Sequence, residues 1–298
     1  MSTAVVKVRG RDLSSGDLEI IREIASRPNQ TRRSISVAVC EQLGWQQPNG
    51  RPWDMACRYL LLRLQKKGVL TLPPPRKRYA KRRPVTLTAA AEPQAPIEAP
   101  AGKLGPIRYQ RVDGTPLAPL WNEYIHRYHY LGLGTLVGPH IRYLIGFEGG
   151  WLAAMGFCGA AWALRPRDEW IGWSPIQRQQ RLQLVVNQAR FLILPWVHSK
   201  NLASHLLSLS ARWLLQDWEA LYRCRPLLLE TFVDARRYSG TSYRAANWVH
   251  LGLSQGRGKT DRHTRRELPA KDIYVYPLHR RARQRLRAPY PLIQSSAS

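Results

Sequence analysis

Residues Val185 to Trp213 read VVNQARFLILPWVHSKNLASHLLSLSARW, and this pattern indicates the fold class. The run from Arg190 to Leu194, whose last four residues are apolar, is typical of a strand. After a polar loop, apolar residues recur at the i, i+4, i+7 and i+11 spacing of an amphipathic helix: Leu202, Leu206, Leu209 and Trp213. A strand, a loop and a long helix in succession predict an α/β domain.

Neighbouring segments extend this α/β pattern. Two β-type runs, 142–147 and 151–157, flank Glu148-Gly149-Gly150 and predict a hairpin. The same periodicities predict helices over 174–184 and 240–251 and strands over 227–233 and 272–278. We therefore expect a mixed α/β (α+β) domain over residues 107–280, followed by a basic C-terminal tail over 281–298.

Residues 1–75 predict a separate helical domain. Three helical stretches fit between Leu13 and Lys67, and the short extended run Val69–Leu72 follows the third. Three helices and a small β element in so short a segment match a winged helix-turn-helix, whose third helix enters the major groove of DNA. The i, i+4, i+7 spacing in that helix predicts its apolar face: Met55, Tyr59 and Leu62.

The start and the polar face of this third helix supply the predicted DNA contacts. They are Arg51, Trp53, Asp54, Arg58 and Arg63. The alternative is an ordinary three-helix bundle whose charges are merely solvated.

A break in composition separates the two predicted domains. Residues 76–106 are rich in Pro and Ala and almost without large apolar side chains, so little there offsets the entropy of ordering, and we predict a partly extended linker. Its first part is strongly basic: Arg76, Lys77, Arg78, Lys81, Arg82 and Arg83. We expect this part to be an arm that contacts phosphates; a solvated tether is the alternative.

The charge of the chain narrows its partners. Forty-six Lys and Arg stand against 20 Asp and Glu, a formal charge of +26 on 298 residues. Such a chain repels itself unless a polyanion neutralises it, and every cation set on a phosphate releases counterions, so DNA is the predicted partner. A second basic block supplies further candidate DNA contacts: Arg257, Lys259, Arg262, Arg265 and Arg266.

Several other classes of protein are disfavoured. The sequence has no run of eighteen apolar residues, and residues 1–12 lack the apolar stretch of a signal peptide, so we expect a cytoplasmic, DNA-associated protein without a membrane partner. Its four cysteines form no C-x-x-C pair, which fits neither a disulfide framework nor a zinc site.

Polar residues that a core does not explain predict a ligand pocket. His129 lies between two tyrosines; the alternative interpretation of that stretch is a helix end capped by glycine. The loop 197–204 joins a strand to a helix, where free backbone N–H groups attract anions. The predicted pocket residues are His129, His198, Lys200, Asn201, Ser204 and Asn247.

Two carboxylates and a tyrosine are the candidate catalytic residues. Glu230 and Asp234 lie in and just after a predicted buried strand, roughly 13 Å apart by extended rise, and Tyr243 is displayed on the following predicted helix. That distance is too long for one metal ion. A third acid, such as Asp168 or Asp272, is therefore needed for a nuclease, which would use Mg²⁺.

Several sequence words, in one order, carry a family resemblance. They include QQPNGRPWDMA at 46–56, YHYLG at 128–132, RFLILP at 190–195 and LLETFVD at 228–234. Because of these sequence words, the chain resembles the DruA family of the Druantia anti-phage systems, whose relatives also occur in transposable elements. This resemblance implies a defence or mobile-element context and a role on DNA.

At the level of fold, the order of elements after residue 107 is similar to that of GNAT acyltransferases. The resemblance places loop 197–204 where that family binds the pyrophosphate of acetyl-CoA, with the pattern R/Q-x-x-G-x-G/A. Here His198 stands for Arg or Gln and Asn201 for the first glycine. The added side chain at Asn201 lies where the backbone must approach the pyrophosphate.

Three functions follow from these patterns. The first is a DNA-binding defence or mobile-element protein that docks through the winged helix, the basic arm and the α/β domain, with other defence proteins, such as a helicase, as further partners. The second is a DNA-acting enzyme, either a metal-dependent nuclease or a strand-transfer factor. The third is a GNAT-like acyltransferase.

Overall fold

The computed structural model describes residues 7–8, 11–47, 50–75, 84–256 and 269–288. The chain divides into two compact units, Met1–Arg83 and Pro84–Ser298. Among the described residues, no helix combines the length and the apolar character that a bilayer span requires.

The first unit is a small helical domain with one strand pair. Its elements are β1 (Lys7–Val8), β2 (Arg11–Asp12), α1 (Ser15–Ser26), α2 (Arg32–Gln42) and α3 (Asp54–Lys66). Ser14 and Thr31 begin α1 and α2, because each hydroxyl accepts a hydrogen bond from the third backbone N–H of its helix. A core of buried apolar residues from all three helices holds the unit together.

The apolar face predicted for α3 is wrong. Met55, Tyr59 and Leu62 are 68%, 67% and 44% exposed. The helix buries the stripe Cys57, Leu60, Leu61 and Leu64 instead. Both stripes have helical spacing, so periodicity alone does not separate them; the buried one carries more aliphatic side chains on adjoining positions.

The three predicted helices are present, but the wing is not confirmed. Residues 67–75 form no strand, and the pair β1–β2 precedes α1. Leu72 still packs into the core of the unit, while the carbonyls of Val69 and Pro73 accept hydrogen bonds from Arg22 and Arg32. Residues 67–75 are therefore held by side-chain contacts and not by the expected strand pairing.

The second unit is a mixed α/β domain. Its elements are β3 (Arg108–Arg111), α4 (Ala118–Tyr128), β4 (His140–Phe147), β5 (Gly150–Gly159), α5 (Arg165–Ile171), α6 (Pro175–Arg181), β6 (Val185–Ile193), α7 (Leu202–Tyr222), β7 (Leu228–Val233), α8 (Thr241–Ala245), β8 (Val249–Leu253), β9 (Asp272–Pro277) and α9 (Ala282–Arg287). The seven strands make one sheet in the order β3-β4-β5-β6-β7-β9-β8. The α/β class and the predicted hairpin, β4 and β5, are confirmed.

The only parallel pair of this described sheet, β6 and β7, is joined by the long helix α7, as a crossover connection requires. Pairing runs from Val185 opposite Leu228 to Gln188 opposite Thr231. Beyond this point β6 and β7 continue without pairing to each other, so the sheet forks at Gln188 and Thr231. We call this place the fork.

Helix α7 buries a slightly different stripe from the predicted one. Leu202 and Leu206 are buried as expected, together with Leu214 and Trp218. Trp213 is 38% exposed, and its ring stacks on Tyr109 at 5.9 Å. The helix therefore has the predicted span with its buried face rotated.

Residues 84–106, predicted to belong to a linker, pack on the second unit. Ala91 is fully buried, and its carbonyl accepts a hydrogen bond from the Tyr128 hydroxyl at 2.7 Å. Glu123, which is 2% exposed, accepts from the Thr88 N–H at 2.5 Å and from its hydroxyl at 2.8 Å. Small side chains and prolines suit this close packing, because they lose little side-chain entropy when ordered.

Two further predicted boundaries are corrected. The helix expected over 240–251 ends at Ala245, and Asn247, at φ 61°, turns the chain into β8, which pairs with β9. The start of the expected C-terminal tail forms α9, which buries Ala282 and Leu286 against α5 and the sheet. In both places, pairing or packing with distant residues overrides the local pattern.

Candidate functional site

A cavity of about 450 Å³ opens at the fork. β6 and β7 supply one side, with Phe191 and Phe232 beyond the last paired residues. The end of α4, the start of α7 and the segment from 237 to 243 supply the rest. Because the unpaired strand ends leave a gap in the sheet, the backbone topology itself creates this cavity.

His129 lies in the cavity wall as a neutral imidazole. Its Nδ1 accepts a hydrogen bond from the Leu131 N–H at 3.2 Å, and its ring stacks on Tyr130 at 5.0 Å. Burial, and then the positive charges of Arg190 and Lys271, lower the pKa of His129 to about 4. With Nδ1 accepting, the proton of the neutral ring is on Nε2, which is therefore a hydrogen-bond donor.

Tyr243 lies in the same wall, so the structure brings one predicted pocket residue and one predicted catalytic residue together. Its hydroxyl donates to Gln188 Oε1 at 3.0 Å, and its ring stacks on Tyr274 at 5.5 Å. Burial raises the pKa of Tyr243 above the usual range. The phenol is therefore protonated at neutral pH and acts as a fixed donor; its catalytic role stays a prediction.

The other predicted pocket residues do not line the cavity. His198, Lys200 and Asn201 are exposed in the loop before α7, Ser204 bonds back to the Asn201 carbonyl at 3.0 Å, and Asn247 is exposed after α8. The sequence did not single out Phe191 and Phe232 of the aromatic wall, because single aromatic residues on strands look like core.

Loop 197–204 does not fit the pyrophosphate that the GNAT resemblance implies. The His198 N–H donates to the Ile97 carbonyl at 2.8 Å, and the Ala101 N–H donates to the Lys200 carbonyl at 3.4 Å. One backbone N–H of the loop is therefore already bonded to the segment 97–101 of the same chain, and the Lys200 carbonyl holds the loop to that segment as well. Asn201 also has a φ of 62°, with a side chain where that family has glycine.

The two predicted catalytic carboxylates lie in different surroundings. Glu230 is completely buried, where its two oxygens accept hydrogen bonds from Arg167 and from the Ala161 N–H, each at 2.7 Å. Asp234 pairs with Arg236 at 3.0 Å, and this guanidinium lowers the pKa of Asp234 to about 2. Each carboxylate is thus neutralised by its own arginine.

The expected third acids are also engaged. Asp168 pairs with Arg167 at 2.7 Å and with Arg178 at 3.2 Å, while Asp272 contacts His250 at 2.7 Å. Within residues 7–8, 11–47, 50–75, 84–256 and 269–288, no group of three or more His, Cys, Asp or Glu is placed to hold a metal ion. The Mg²⁺ expected for a nuclease therefore has no ligand set in this part of the chain.

The predicted DNA contacts of the first unit lie at the start and surface of α3. Arg51 precedes the helix on the surface, and the half-buried Trp53 is its N-cap. Arg58 pairs with Asp54 at 2.8 Å, whereas Arg63 is exposed. The remaining predicted contacts lie outside the described residues: Arg76, Lys77, Arg78, Lys81, Arg82, Arg83, Arg257, Lys259, Arg262, Arg265 and Arg266.

A basic surface surrounds the start of α9, and its arginines are not among the predicted DNA contacts. Arg280, Arg281 and Arg285 border a concavity of about 330 Å³ beside His279, and we call these three arginines the α9 patch. All three are exposed, and none has a carboxylate partner among the described residues. Partial desolvation, and then the charges of the patch, lower the pKa of His279. The signal in the sequence is the i, i+4 pair Arg281 and Arg285.

Solved structures similar to the chain are acetyltransferases, at low scores. The aminoglycoside acetyltransferase AAC(6')-Ib is 15% identical, with 61% of this chain and 98% of that chain covered and a TM-score of 0.37. The spermidine N-acetyltransferase SpeG from Vibrio cholerae, as its F149G mutant, is 10% identical, with coverages of 53% and 70% and a TM-score of 0.30. The microcin C7 self-immunity acetyltransferase MccE is 8% identical, and 46% of this chain covers 61% of it at a TM-score of 0.29. A likeness at these scores is no evidence of what the chain binds.

A family comparison is more specific. No curated protein matches the chain. The family described as Druantia protein DruA matches residues 63–266, more than half of the chain, and this range includes the fork and its cavity. The chain belongs to the DruA family of Druantia proteins.

Proposed function

We propose that this DruA-family chain is a DNA-binding protein of a Druantia defence system. The α9 patch carries the proposal, because it sets three exposed arginines around one concave surface, and none of them has an acidic partner in the part of the chain that the structure describes. A guanidinium is always charged and presents several N–H donors, so one guanidinium can bind two oxygens of the same phosphate. Three such groups at one concavity form a site for the backbone phosphates of a nucleic acid.

The surrounding charge supports the same proposal. Residues 280–287 contain five arginines and no acid, and the whole chain carries +26. Two other exposed arginines of the second unit are paired with carboxylates: Arg165 with Glu169 at 2.7 Å, and Arg225 with Glu219. Paired cations add little to the field outside the protein, whereas the α9 patch leaves its charge available to a polyanion.

The first unit supplies a second contact in this proposal. Its α3 follows a helix-turn-helix order of elements, and Arg63, Lys66 and Lys67 are exposed at its C-terminal end. We propose that α3 and the basic arm of residues 76–83 bind phosphates as well. Contacts of this kind fix a protein on DNA without reading sequence.

Fluorescence anisotropy with a labelled DNA duplex tests the α9 patch. The variant Arg281→Ala/Arg285→Ala should bind more weakly at every salt concentration. Each lost phosphate contact lowers the slope of log affinity against log salt by about 0.9, so the double variant should lose about 1.8 of slope.

A charge-matched control separates the patch from overall charge. Arg27→Ala/Arg165→Ala also removes two positive charges, from arginines that are exposed and paired with Glu23 and Glu169. This control should keep nearly the full slope. Equal losses in the two double variants would show that the patch has no special role, and an affinity that stays constant from low to physiological salt would refute DNA binding.

A further inference from the structure

The cavity at the fork is not explained by phosphate binding. Seven of its twenty lining residues are aromatic, counting His129, and they come from four separate segments of the chain. Aromatic faces stack on planar ligands with little dependence on the exact ligand. The cavity volume, about 450 Å³, falls in the range of roughly 300–1,000 Å³ that small-ligand pockets occupy.

The charges at the cavity exclude some ligands. Among the described residues, its lining contains one charged side chain, Arg237, and no carboxylate. Asp234 lies near enough to raise the pKa of Tyr130, but it is paired with Arg236 at 3.0 Å. Arg237 lies over the Tyr130 ring at 5.2 Å, and Arg190 lies near enough to His129 to lower the pKa of that imidazole. A cationic ligand would find no unpaired carboxylate in the described part of this wall, whereas a neutral planar group attached to a phosphate would find the guanidinium of Arg237.

Polar groups in the wall remain available to the edge of such a ligand. His129 Nε2, the Tyr130 hydroxyl and the Ser242 hydroxyl have no hydrogen-bond partner among the described residues. The imidazole offers a donor, and the two hydroxyls offer both donors and acceptors. Nucleobases present donors and acceptors along one edge of a flat ring and match this combination.

We propose that the cavity at the fork binds a nucleobase, with its ring among the aromatic side chains and its phosphate toward Arg237. The base is part of a DNA strand or of a free nucleotide. For a base carried on DNA, the proposal rests on the proposed function; for a free nucleotide, it does not.

Two binding measurements on the full chain distinguish these sources. The first follows the fluorescence of free 2-aminopurine deoxyribonucleoside monophosphate, which changes when the base stacks on aromatic rings. The second compares a labelled single-stranded oligonucleotide with an abasic oligomer of equal length and charge by anisotropy. If one base enters the cavity, the oligonucleotide should bind about 5- to 150-fold more tightly than the abasic oligomer.

Three variants assign any signal to the cavity. Ala203→Trp fills the cavity from the first turn of α7, and Tyr238→Ala removes a ring that is 54% exposed at its mouth. Trp162→Ala is the matched control, because this side chain is also 54% exposed and does not line the cavity. The two cavity variants should lose the preference for bases, and the control should keep it. Circular dichroism confirms that each variant is folded.

The outcomes separate the two proposals. Equal binding of the oligonucleotide and the abasic oligomer, together with no saturable nucleotide signal, overturns the cavity proposal and leaves DNA binding intact. If neither single-stranded polymer binds, a base carried on a single strand is ruled out, and DNA binding is decided by the duplex titration. The nucleotide measurement then decides the cavity proposal alone: a saturable signal lost in Ala203→Trp supports it, and no signal overturns it. A preference for bases that survives in Ala203→Trp also overturns it.

Discussion

Replacing Arg167 by Met should strongly destabilise the second unit. Arg167 and Glu230 are both completely inaccessible to solvent, and their side chains meet at 2.7 Å. The variant leaves the Glu230 carboxylate buried with one remaining bond, to the Ala161 N–H. Asp168 is less affected, because it keeps Arg178 and the Trp173 indole N–H.

The expected loss follows from burial. Removing one partner of a buried ion pair costs about 3–5 kcal/mol, because the other charge stays in a medium that solvates it poorly. For a unit spanning Pro84–Ser298, 1 kcal/mol corresponds to a shift of roughly 2–4 °C in Tm. Arg167→Met should therefore lower Tm by roughly 6 to 20 °C in a thermal scan followed by circular dichroism.

Two further variants make this test decisive. Arg165→Met removes an arginine that is 73% exposed and pairs with Glu169, so it should cost less than about 1 kcal/mol. Arg167→Met/Glu230→Met leaves no buried charge of that pair and should recover most of the lost stability. A loss below 1 kcal/mol in Arg167→Met, or a double variant no more stable than the single one, would refute the reasoning.

Three further predictions concern packed side chains and a glycine of the second unit. The pKa of His129 is about 4 in the folded chain, below its ordinary 6.5, so the unfolded chain binds more protons between these two pH values. The free energy of unfolding should therefore fall by about 3 kcal/mol as the pH drops from 6.5 to 4. If urea unfolding of His129→Gln had the same pH dependence as the wild type, this prediction would be contradicted. Glu123→Ala leaves the Thr88 N–H without its acceptor and should lower the free energy of unfolding in urea by about 2–3 kcal/mol; an unchanged free energy would show that residues 84–106 are loosely attached. Gly240→Ala places a Cβ 2.1 Å from the Tyr274 hydroxyl at a φ of 70° and should cost at least about 2 kcal/mol; wild-type stability would show that Tyr274 moves freely.

Sequence patterns predicted the elements that local periodicity specifies. The hairpin of β4 and β5 has a continuous apolar run on each side of a glycine turn, and α7 carries a long helical stripe, so neither needs distant residues to be recognised. The buried face predicted for α3 was wrong because the predicted stripe and the observed stripe have the same helical period. The segment 240–251 was wrong because its second half gains more from pairing with β9 than from continuing α8.

The candidate site was less predictable than the fold. Charge alone pointed to a polyanion, and the i, i+4 arginines of the α9 patch are visible in the sequence. Sequence spacing could not show that Glu230 meets Arg167, 63 positions away, or that Tyr243 meets Gln188, 55 positions away. A carboxylate on a buried strand has the same local pattern whether it is catalytic or neutralised by an arginine.

The sequence by itself determined the charge, the α/β class and the order of most helices and strands, because these depend on composition and on contacts within a few residues. The tertiary structure alone decided the fork between β6 and β7, the aromatic cavity within it, the pairing of Glu230 with Arg167 and the packing of residues 84–106. Each of these depends on side chains that are far apart in the chain, and their free energy comes from burial and hydrogen bonds that exist only after the sheet has formed.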